Sequence, residues 1–310
     1  MALLKVNKQV ISPTKLHEKY IVPPFSVINS HQPYVKARFA FWENIGLCVS
    51  DGRNDQLAYD NRRMNKRRKK EINGTSVFNP VLCEVLYKWF TMPNSRVLDP
   101  FAGGVVRGVM ASILGHSYVG YDISEKQIQS NKQIFEDIKS RYIIEDRTEW
   151  RHESSVNIPL GKQEYDFVIT CPPYYNLEKY TDSVDDLSNQ PDYMTFLRLY
   201  REILFRSACA LKDDCFFAIT VGEIRDKKTT EYYGFVPDTI SILMRDCMLH
   251  YYNEIILYND TGNLAITSGN YMDLARKVGK QHQNVLIFYK GNPKNIRDKF
   301  GALKNGEILV

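Results

Sequence analysis

Two hydrophobic patterns alternate along the chain, and together they predict strands and helices in turn. Short runs rich in β-branched and aromatic residues, such as the one that starts at Tyr165, are typical of strands buried on both faces of a sheet. Longer segments in which apolar residues recur every three or four positions predict helices, and Asn79 with Pro80 supplies a start signal for one of them. Strands are predicted at 96–98, 118–121, 148–154, 165–170, 215–221, 251–258 and 284–289. Helices are predicted at 81–90, 105–114, 124–141, 193–211 and 235–248.

This succession of strands and helices predicts an α/β fold with a doubly wound, mostly parallel sheet that ends in a C-terminal antiparallel hairpin. Residues 1–40 contain several prolines and little periodicity, so we expect them to form an irregular arm. We therefore divide the chain into an N-terminal irregular arm with a basic run, 1–74, and an α/β domain, 75–310.

Two connections are long for a compact domain, in which most loops have roughly four to six residues. Residues 175–192 are rich in Asp, Ser and Asn and are long enough to cover a substrate as a lid. Residues 259–283 carry Arg276, Lys277 and Lys280, so we interpret them as a loop that faces the substrate.

The composition is that of an ordinary globular protein, with 44% hydrophobic and 25% charged residues and no apolar run as long as a membrane helix. No charged-then-apolar secretory start follows Met1, so we expect a cytoplasmic protein with no membrane partner. The six cysteines show no CxxC spacing, which argues against a zinc site and predicts reduced thiols. We predict no metal ligands.

The most prominent charge feature is the basic run from Arg62 to Lys70. Clustered Lys and Arg release counterions from a nucleic-acid backbone, which favours a phosphate-binding segment. A solvated loop is the other interpretation of such a run. The net charge of +5 suits a nucleic-acid partner without proving one.

Residues 96–108 predict a strand, a tight turn and a helix. Asp99 ends the strand, and Gly103 and Gly104 let the backbone of the turn approach a ligand closely. The next strand ends at Asp122, where a carboxylate can accept hydrogen bonds from two ribose hydroxyls. A strand–turn–helix–strand–Asp unit of this kind is typical of nucleotide sites in α/β folds.

Three motifs resemble those of the S-adenosylmethionine-dependent DNA amino-methyltransferases, which methylate adenine N6 or cytosine N4. Asp99-Pro-Phe-Ala-Gly-Gly resembles their cofactor loop, and Thr75-Ser-Val-Phe-Asn-Pro resembles the segment that covers the methionine end of the cofactor. Asp166-Phe-Val-Ile-Thr-Cys-Pro-Pro-Tyr-Tyr resembles their catalytic loop. The motifs and the strands between them cover about residues 75–290, and the chain resembles DNA methylases of phages and prophages in particular.

The resemblance implies a Rossmann-like methyltransferase sheet, S-adenosylmethionine as the cofactor and DNA as the partner, with RNA not excluded. It implies catalytic roles for Cys171, Pro172, Pro173 and Tyr174. It implies cofactor contacts for Thr75, Phe78, Asp99, Pro100, Phe101, Ala102, Gly103, Gly104, Asp122, Ile123, Glu153 and Ser154.

In this family the catalytic loop activates an exocyclic amine, whose lone pair is conjugated into the base. Hydrogen-bond acceptors aimed at the amine N–H groups free that lone pair, and two prolines hold the acceptors rigidly. The aromatic residue stacks on a base that has been turned out of the duplex. Pro172, Pro173 and Tyr174 match this pattern.

Cys171 departs from the pattern, because the family usually has Asp, Asn or Ser at this position and a thiol is a weak acceptor. Three interpretations stay open. Cys171 is a poor or thiolate acceptor and the Pro172 carbonyl does most of the work, or it is a nucleophile that adds to pyrimidine C6, as in carbon-5 methyltransferases. The third interpretation is an inactive protein.

The sequence therefore predicts a DNA methyltransferase, of the kind found in restriction–modification, that acts on adenine N6 or cytosine N4. The alternatives are methylation of pyrimidine C5, of RNA or of a protein glutamine by the same fold, and a non-catalytic binding module. No inserted domain separates the cofactor loop from the catalytic loop, so the target must be read by residues 1–74, by the lid or by the 259–283 connection. Such small segments predict a short recognition site, and a homodimer is compatible with the sequence.

Overall fold

The computed structural model describes residues 13–47, 77–175, 185–226, 228–259 and 264–303, and these contain an eight-stranded sheet with helices packed on both faces. The strands are β1 (Val27–Asn29), β2 (Arg96–Asp99), β3 (Ser117–Asp122), β4 (Thr148–His152), β5 (Tyr165–Thr170), β6 (Leu211–Val221), β7 (His250–Tyr258) and β8 (His282–Lys290). The helices are α1 (Pro13–Tyr20), α2 (Pro33–Ile45), α3 (Pro80–Phe90), α4 (Val106–Ile113), α5 (Glu125–Arg141), α6 (Tyr193–Ala210), α7 (Phe235–Ser241), α8 (Leu264–Ala275) and α9 (Ile296–Phe300). Across these ranges, no helix is both long enough and apolar enough to span a bilayer.

The strand order across the sheet is β1-β7-β8-β6-β5-β2-β3-β4. Within the described residues, β8 runs antiparallel to its neighbours β6 and β7, and all other neighbouring strands are parallel. The prediction of a doubly wound, mostly parallel sheet with an antiparallel C-terminal part is therefore confirmed. The parallel strands β2, β3, β5 and β6 end along one edge, which is where open α/β sheets bind their ligands.

The core lies on both faces of the sheet, as the nearly continuous apolar strands require. In β5, Phe167 and Ile169 belong to a buried cluster that includes residues of α3 and α4. Val168, between them, belongs to a second cluster that includes residues of α6. This alternation fixes the register of β5, because a shift by one residue would exchange the two faces.

Residues 13–47 form two helices and a strand of the main sheet, so the prediction of an irregular arm is wrong for this part of the chain. Pro33 lies in the first turn of α2, where its missing N–H is not needed, so this proline begins a helix instead of breaking one. Trp42 of α2 is fully buried and donates from Nε1 to Glu84 Oε2 of α3 at 2.8 Å. The N-terminal helix α2 thus shares the core of the α/β domain, and the predicted boundary at residue 74 lies outside the described residues.

Other predicted elements have different bounds. β6 begins at Leu211 instead of 215, directly after α6. The helix predicted at 235–248 consists of α7 followed by a π-helical segment, Ile242–Asp246. The 259–283 connection, predicted as a loop, contains α8, whose apolar residues do not form one helical face and so gave no periodic signal.

Candidate functional site

A cavity of about 320 Å³ lies at the carboxyl edge of the sheet, where β2, β3, β5 and β6 end. This volume is at the lower end of the range for small-molecule sites. Its walls include eight of the predicted cofactor residues, Phe78, Pro100, Phe101, Gly103, Gly104, Asp122, Ile123 and Ser154. The same walls include the predicted catalytic residues Cys171, Pro172, Pro173 and Tyr174.

Three predicted cofactor residues do not line the cavity in the described part of the chain, namely Asp99, Ala102 and Glu153. Asp99 is fully buried behind the loop. Glu153 donates its backbone N–H to the carbonyl of Asp122 at 3.1 Å, which continues the pairing of β4 with β3. Outside the described residues lie Thr75, the basic run 62–70 and residues 176–184 of the predicted lid.

The buried Asp99 carboxylate holds the loop in place from behind. Its Oδ1 accepts hydrogen bonds from the Phe101 N–H at 3.1 Å and from the Thr170 hydroxyl at 2.8 Å. Its Oδ2 accepts from the Tyr118 hydroxyl at 2.8 Å and from Arg107 Nε. These donors belong to the loop, β5, β3 and α4, so Asp99 joins four elements at the edge of the cavity without lining it.

Arg107 is the charged partner of Asp99, and it is only 4% exposed. Its guanidinium donates to the carbonyls of Phe101 and Ala102 at 2.6 and 2.9 Å and lies 4.6 Å from the centre of the Phe78 ring. Burial by itself would lower the pKa of Arg107, but the nearby Asp99 carboxylate, together with Tyr118 and Cys171, raises it above its ordinary value. The hydrogen bonds of the pair fix the loop to the start of α4.

Asp122 ends β3 and forms part of the cavity wall. Its Oδ2 accepts from the Gly103 N–H at 2.8 Å, and its Oδ1 accepts from the Ser124 N–H at 2.7 Å. Gly103 has a φ of +51°, in the left-handed region that favours glycine. Each carboxylate oxygen has two lone pairs, so an oxygen that already accepts from the backbone can also accept from a ligand.

Two polar side chains of α5 support the loop, and the sequence did not reveal their role. Asn131 is fully buried and donates from Nδ2 to the Gly103 carbonyl at 2.7 Å. Gln127 donates from Nε2 to Asn131 Oδ1 at 2.9 Å. Polar residues four positions apart in the first turns after the Asp122 strand were the signal that could have identified them.

Arg107 and Ser155 were also missed. The Ser155 hydroxyl is buried and donates to the carbonyl of Pro100. Arg107 could have been found as a charged residue in an otherwise apolar helix, since such a residue is rarely buried without a charged partner. Ser155 offers no comparable signal, because its contact depends on a turn after β4 that only the structure defines.

The predicted catalytic loop follows β5 directly. Pro172 is buried, whereas Cys171 and Tyr174 are partly exposed and line the cavity. The Tyr174 ring stands edge-on to Phe235, with centroids 5.9 Å apart, and its hydroxyl lies 3.4 Å from Gln283 Nε2. These contacts hold the aromatic ring in a defined orientation at the cavity wall.

Polar groups from β6, the β7–β8 connection and the start of β8 complete the cavity. Two of them, Asn259 and Gln283, belong to the 259–283 segment that the sequence analysis predicted to face the substrate, whereas Thr220 was not predicted. Thr220, Asn259 and Gln283 all line the cavity. The Thr220 hydroxyl is buried and has no hydrogen-bond partner among the described residues. A buried polar group without a partner costs about 1–3 kcal/mol, so a ligand that hydrogen-bonds to Thr220 would recover that free energy.

No family model and no curated protein matches the chain. Among solved structures, it is similar to a TehB-like SAM-dependent methyltransferase from Corynebacterium glutamicum, with 16% identity, a TM-score of 0.42 and coverage of 70% of this chain and 90% of that one. It is also similar to a SAM-dependent methyltransferase from Methanosarcina mazei, with 14% identity, a TM-score of 0.43 and coverage of 65% and 95%. The N-methyltransferase NodS from Bradyrhizobium japonicum shows 12% identity, a TM-score of 0.40 and coverage of 68% and 92%. Similarity at this level identifies neither a substrate nor a cofactor, so we base the function on the residues of the cavity.

Proposed function

We propose that this protein is an S-adenosylmethionine-dependent methyltransferase that modifies an exocyclic amine in DNA, adenine N6 or cytosine N4. The observation that carries the proposal is that one cavity is lined both by Pro100, Phe101, Gly103 and Gly104 of the loop after β2 and by the 171–174 loop. A methyl donor and an amine must approach to roughly 3–3.5 Å to react, so the groups that bind them must share a site. The two loops meet because they follow the neighbouring strands β2 and β5.

The residues that line the cavity fit S-adenosylmethionine. When bound, this cofactor supplies an electrophilic methyl group on a sulfonium. Asp122 would accept hydrogen bonds from the ribose hydroxyls, each charge-assisted bond being worth about 1.5–3 kcal/mol. Gly103 brings the backbone close to the ligand, and Phe78 and Phe101 offer apolar surface to its uncharged parts. Asp99 and Arg107 would act through the loop, by holding it in shape.

The residues of the 171–174 loop would activate and orient the amine. The Pro172 carbonyl, with Cys171 Sγ as a weaker acceptor, would receive hydrogen bonds from the amine N–H groups and so free the nitrogen lone pair. Pro173 restricts φ and keeps the Pro172 carbonyl in a fixed direction. Tyr174 would stack on the target base, an interaction worth about 1–3 kcal/mol.

Cys171 supports a second candidate, methylation of pyrimidine C5. A cysteine thiolate is the nucleophile that adds to pyrimidine C6 in that chemistry. Cys171 lines the cavity beside the proposed base-stacking Tyr174, so both candidates use the same residues. The atom that receives the methyl group distinguishes them.

A nucleic-acid substrate is favoured by charge in the sequence, and DNA by the resemblance of the two loops to those of the DNA amino-methyltransferases. The run from Arg62 to Lys70 and the net charge of +5 favour a nucleic-acid backbone over a protein glutamine. The run lies outside the described residues, so this support comes from the sequence alone. RNA carries the same backbone charge and is the alternative substrate that the assay must include.

A tritium-transfer assay tests the proposal. Labelled S-adenosylmethionine is incubated with unmethylated duplex DNA, total RNA and a protein mixture, and the modified DNA is digested for mass spectrometry of its nucleosides. We expect transfer to DNA, with the new methyl on N6 of adenine or N4 of cytosine, and loss of transfer in Tyr174→Ala. A methyl on C5 would establish the second candidate, and transfer to RNA or protein alone would reject the DNA proposal.

A further inference from the structure

α8 and the turn after it expose an apolar cluster, which we call the α8 patch. Its members are Tyr271, Met272, Leu274 and Val278, which are 49, 37, 86 and 66% exposed. Single exposed apolar residues are normal on protein surfaces. Four of them within residues 271–278 are a denser group than isolated exposed residues, and dense exposed apolar groups mark binding sites.

The connection that carries the α8 patch has both of its ends at the cavity. The connection that carries it begins after Asn259 and ends before Gln283, and both of these residues line the cavity. The Asn259 N–H donates to the Gln281 carbonyl at 3.0 Å, which closes the base of the connection. Gln283 Nε2 lies 3.4 Å from the hydroxyl of Tyr174. The connection that carries the patch is therefore anchored beside the proposed base-binding loop.

Positive charge flanks the α8 patch. Arg276, Lys277 and Lys280 follow the helix, and Asp273 is the one acidic residue between 264 and 282. The α8 patch and the basic residues that follow it are complementary to a polyanion that has apolar interior surfaces. Stacked bases between two phosphate backbones are such a partner.

The backbone at the end of α8 holds Arg276 in a left-handed turn. Arg276 has a φ of +52°, and its N–H donates to the Met272 carbonyl at 2.9 Å in a left-handed helix end. The Lys277 N–H donates to the Tyr271 carbonyl at 3.1 Å in the same turn. Glycine is the residue that this conformation normally takes. Replacing Arg276 by glycine would therefore remove the charge without disturbing the turn.

We propose that the α8 patch enters the base stack of duplex DNA next to the target base, with Leu274 as the inserted side chain and the basic residues on the phosphates. This inference rests on the proposed function. A base that leaves the stack opens a gap, and apolar side chains such as Leu or Met enter base steps in proteins that distort the duplex. A second copy of the chain fits less well, because a two-fold contact would bring the basic residues close to their own copies.

Leu274→Ser tests the inserted side chain, with Ile143→Ser as its matched control. Ile143 is fully exposed after α5, at the amino edge of the sheet and away from the cavity. Tritium transfer is measured on sheared unmethylated duplex DNA and on the same DNA after heat denaturation. We expect Leu274→Ser to lower kcat/KM at least tenfold on the duplex. On the single strands, whose bases are already unstacked, the fold-loss in kcat/KM should be at least five times smaller. Ile143→Ser should match the wild type on both.

Arg276→Gly tests the basic flank. We expect weaker duplex binding by fluorescence anisotropy and a salt dependence of log Kd that is shallower by about 0.9, the loss of one phosphate contact. The urea midpoint should not fall, because glycine suits the left-handed turn. If Arg276 had a purely structural role, the substitution would change the urea midpoint and leave the affinity for DNA unchanged.

The outcomes separate this inference from the proposed function. Wild-type protein that neither binds nor methylates duplex DNA would reject both. Wild-type methylation with an unchanged Leu274→Ser, or with equal losses on duplex and single strands, would reject the insertion alone. Sedimentation showing a dimer that Leu274→Ser dissociates would assign the patch to a second copy. Leu274-dependent binding to vesicles of phosphatidylcholine and phosphatidylserine would assign it to a lipid surface.

Discussion

Replacing Asp99 by asparagine removes the charge opposite Arg107 while it keeps the shape of the side chain. The two side chains are 0% and 5% exposed, so the remaining guanidinium would be a buried charge without a counter-charge. Breaking a buried ion pair in this way costs about 3–5 kcal/mol, a large part of the 5–15 kcal/mol that typically separates folded and unfolded states. Asparagine would also turn an amide NH2 towards groups that are themselves donors, such as the Tyr118 hydroxyl.

Urea unfolding of Asp99→Asn, Arg107→Met and the double variant measures this cost. The double variant contains no unpaired buried charge, so we expect it to lose about 1–3 kcal/mol less than the sum of the single variants. Asp137→Asn is the matched control, because Asp137 and its partner Arg141 are 64% and 41% exposed. An exposed pair one helical turn apart contributes about 0.3–0.5 kcal/mol.

Cofactor binding supplies the second readout for Asp99. The loop hydrogen bonds of Asp99 and Arg107 hold Phe101 and its neighbours at the cavity wall, so calorimetry should show weaker S-adenosylmethionine binding in Asp99→Asn at a temperature where it is folded. A loss of stability below about 1 kcal/mol, or single-variant losses that simply add in the double variant, would refute the view that this ion pair is one electrostatic unit.

Three further predictions concern other parts of the site and of the core. Asp122→Asn should weaken S-adenosylmethionine binding about tenfold or more, and unchanged affinity by calorimetry would argue against its contact with the ribose. Burial lowers the pKa of His116 to about 4 from its ordinary 6.5, so the unfolded chain takes up a proton between these values that the folded chain does not. The free energy of unfolding should therefore be highest above pH 6.5 and should fall by about 3 kcal/mol as the pH falls towards 4. In urea titrations, the free energy of unfolding of His116→Gln should decline less steeply over this pH range. If Cys171 is an acceptor, Cys171→Asp should keep or raise activity and Cys171→Ala should keep part of it. If Cys171 is a nucleophile, both variants should lose activity, and the wild type should form a covalent complex with 5-fluorocytosine DNA.

The elements that the sequence predicted well are those whose signals are local. The run from Tyr165 to Thr170 is rich in aromatic and β-branched residues and is followed, after Cys171, by two prolines, so both the strand and its end were visible. Asp122 was likewise marked by the strand before it and by the helix cap Ser124 after it. In each case the residues that define the element are its immediate neighbours in sequence.

The elements that the sequence analysis missed depend on contacts between residues that are distant in sequence. Pro33 was interpreted as a sign of irregular chain, although proline is equally suited to the first turn of a helix, and only packing of Trp42 against Glu84 decides between the two. Arg107 shows the same limit for the site. Its partner Asp99 lies eight residues away and across a turn, outside any helical or strand period, so no pattern joins them.

The position of β8 has a consequence for the order in which the sheet can form. Among the described residues β8 is the last strand in sequence, yet it lies between β6 and β7 and pairs with both. β1, the first of these strands in sequence, pairs with β7 and so reaches the rest of the sheet through β8. The β2–β6 part can assemble during translation, but β1 and β7 can join it only after residues 282–290 have been synthesised. Because such pairings between distant segments are slow to form, we expect a late folding step in which β1, β7 and β8 are added together.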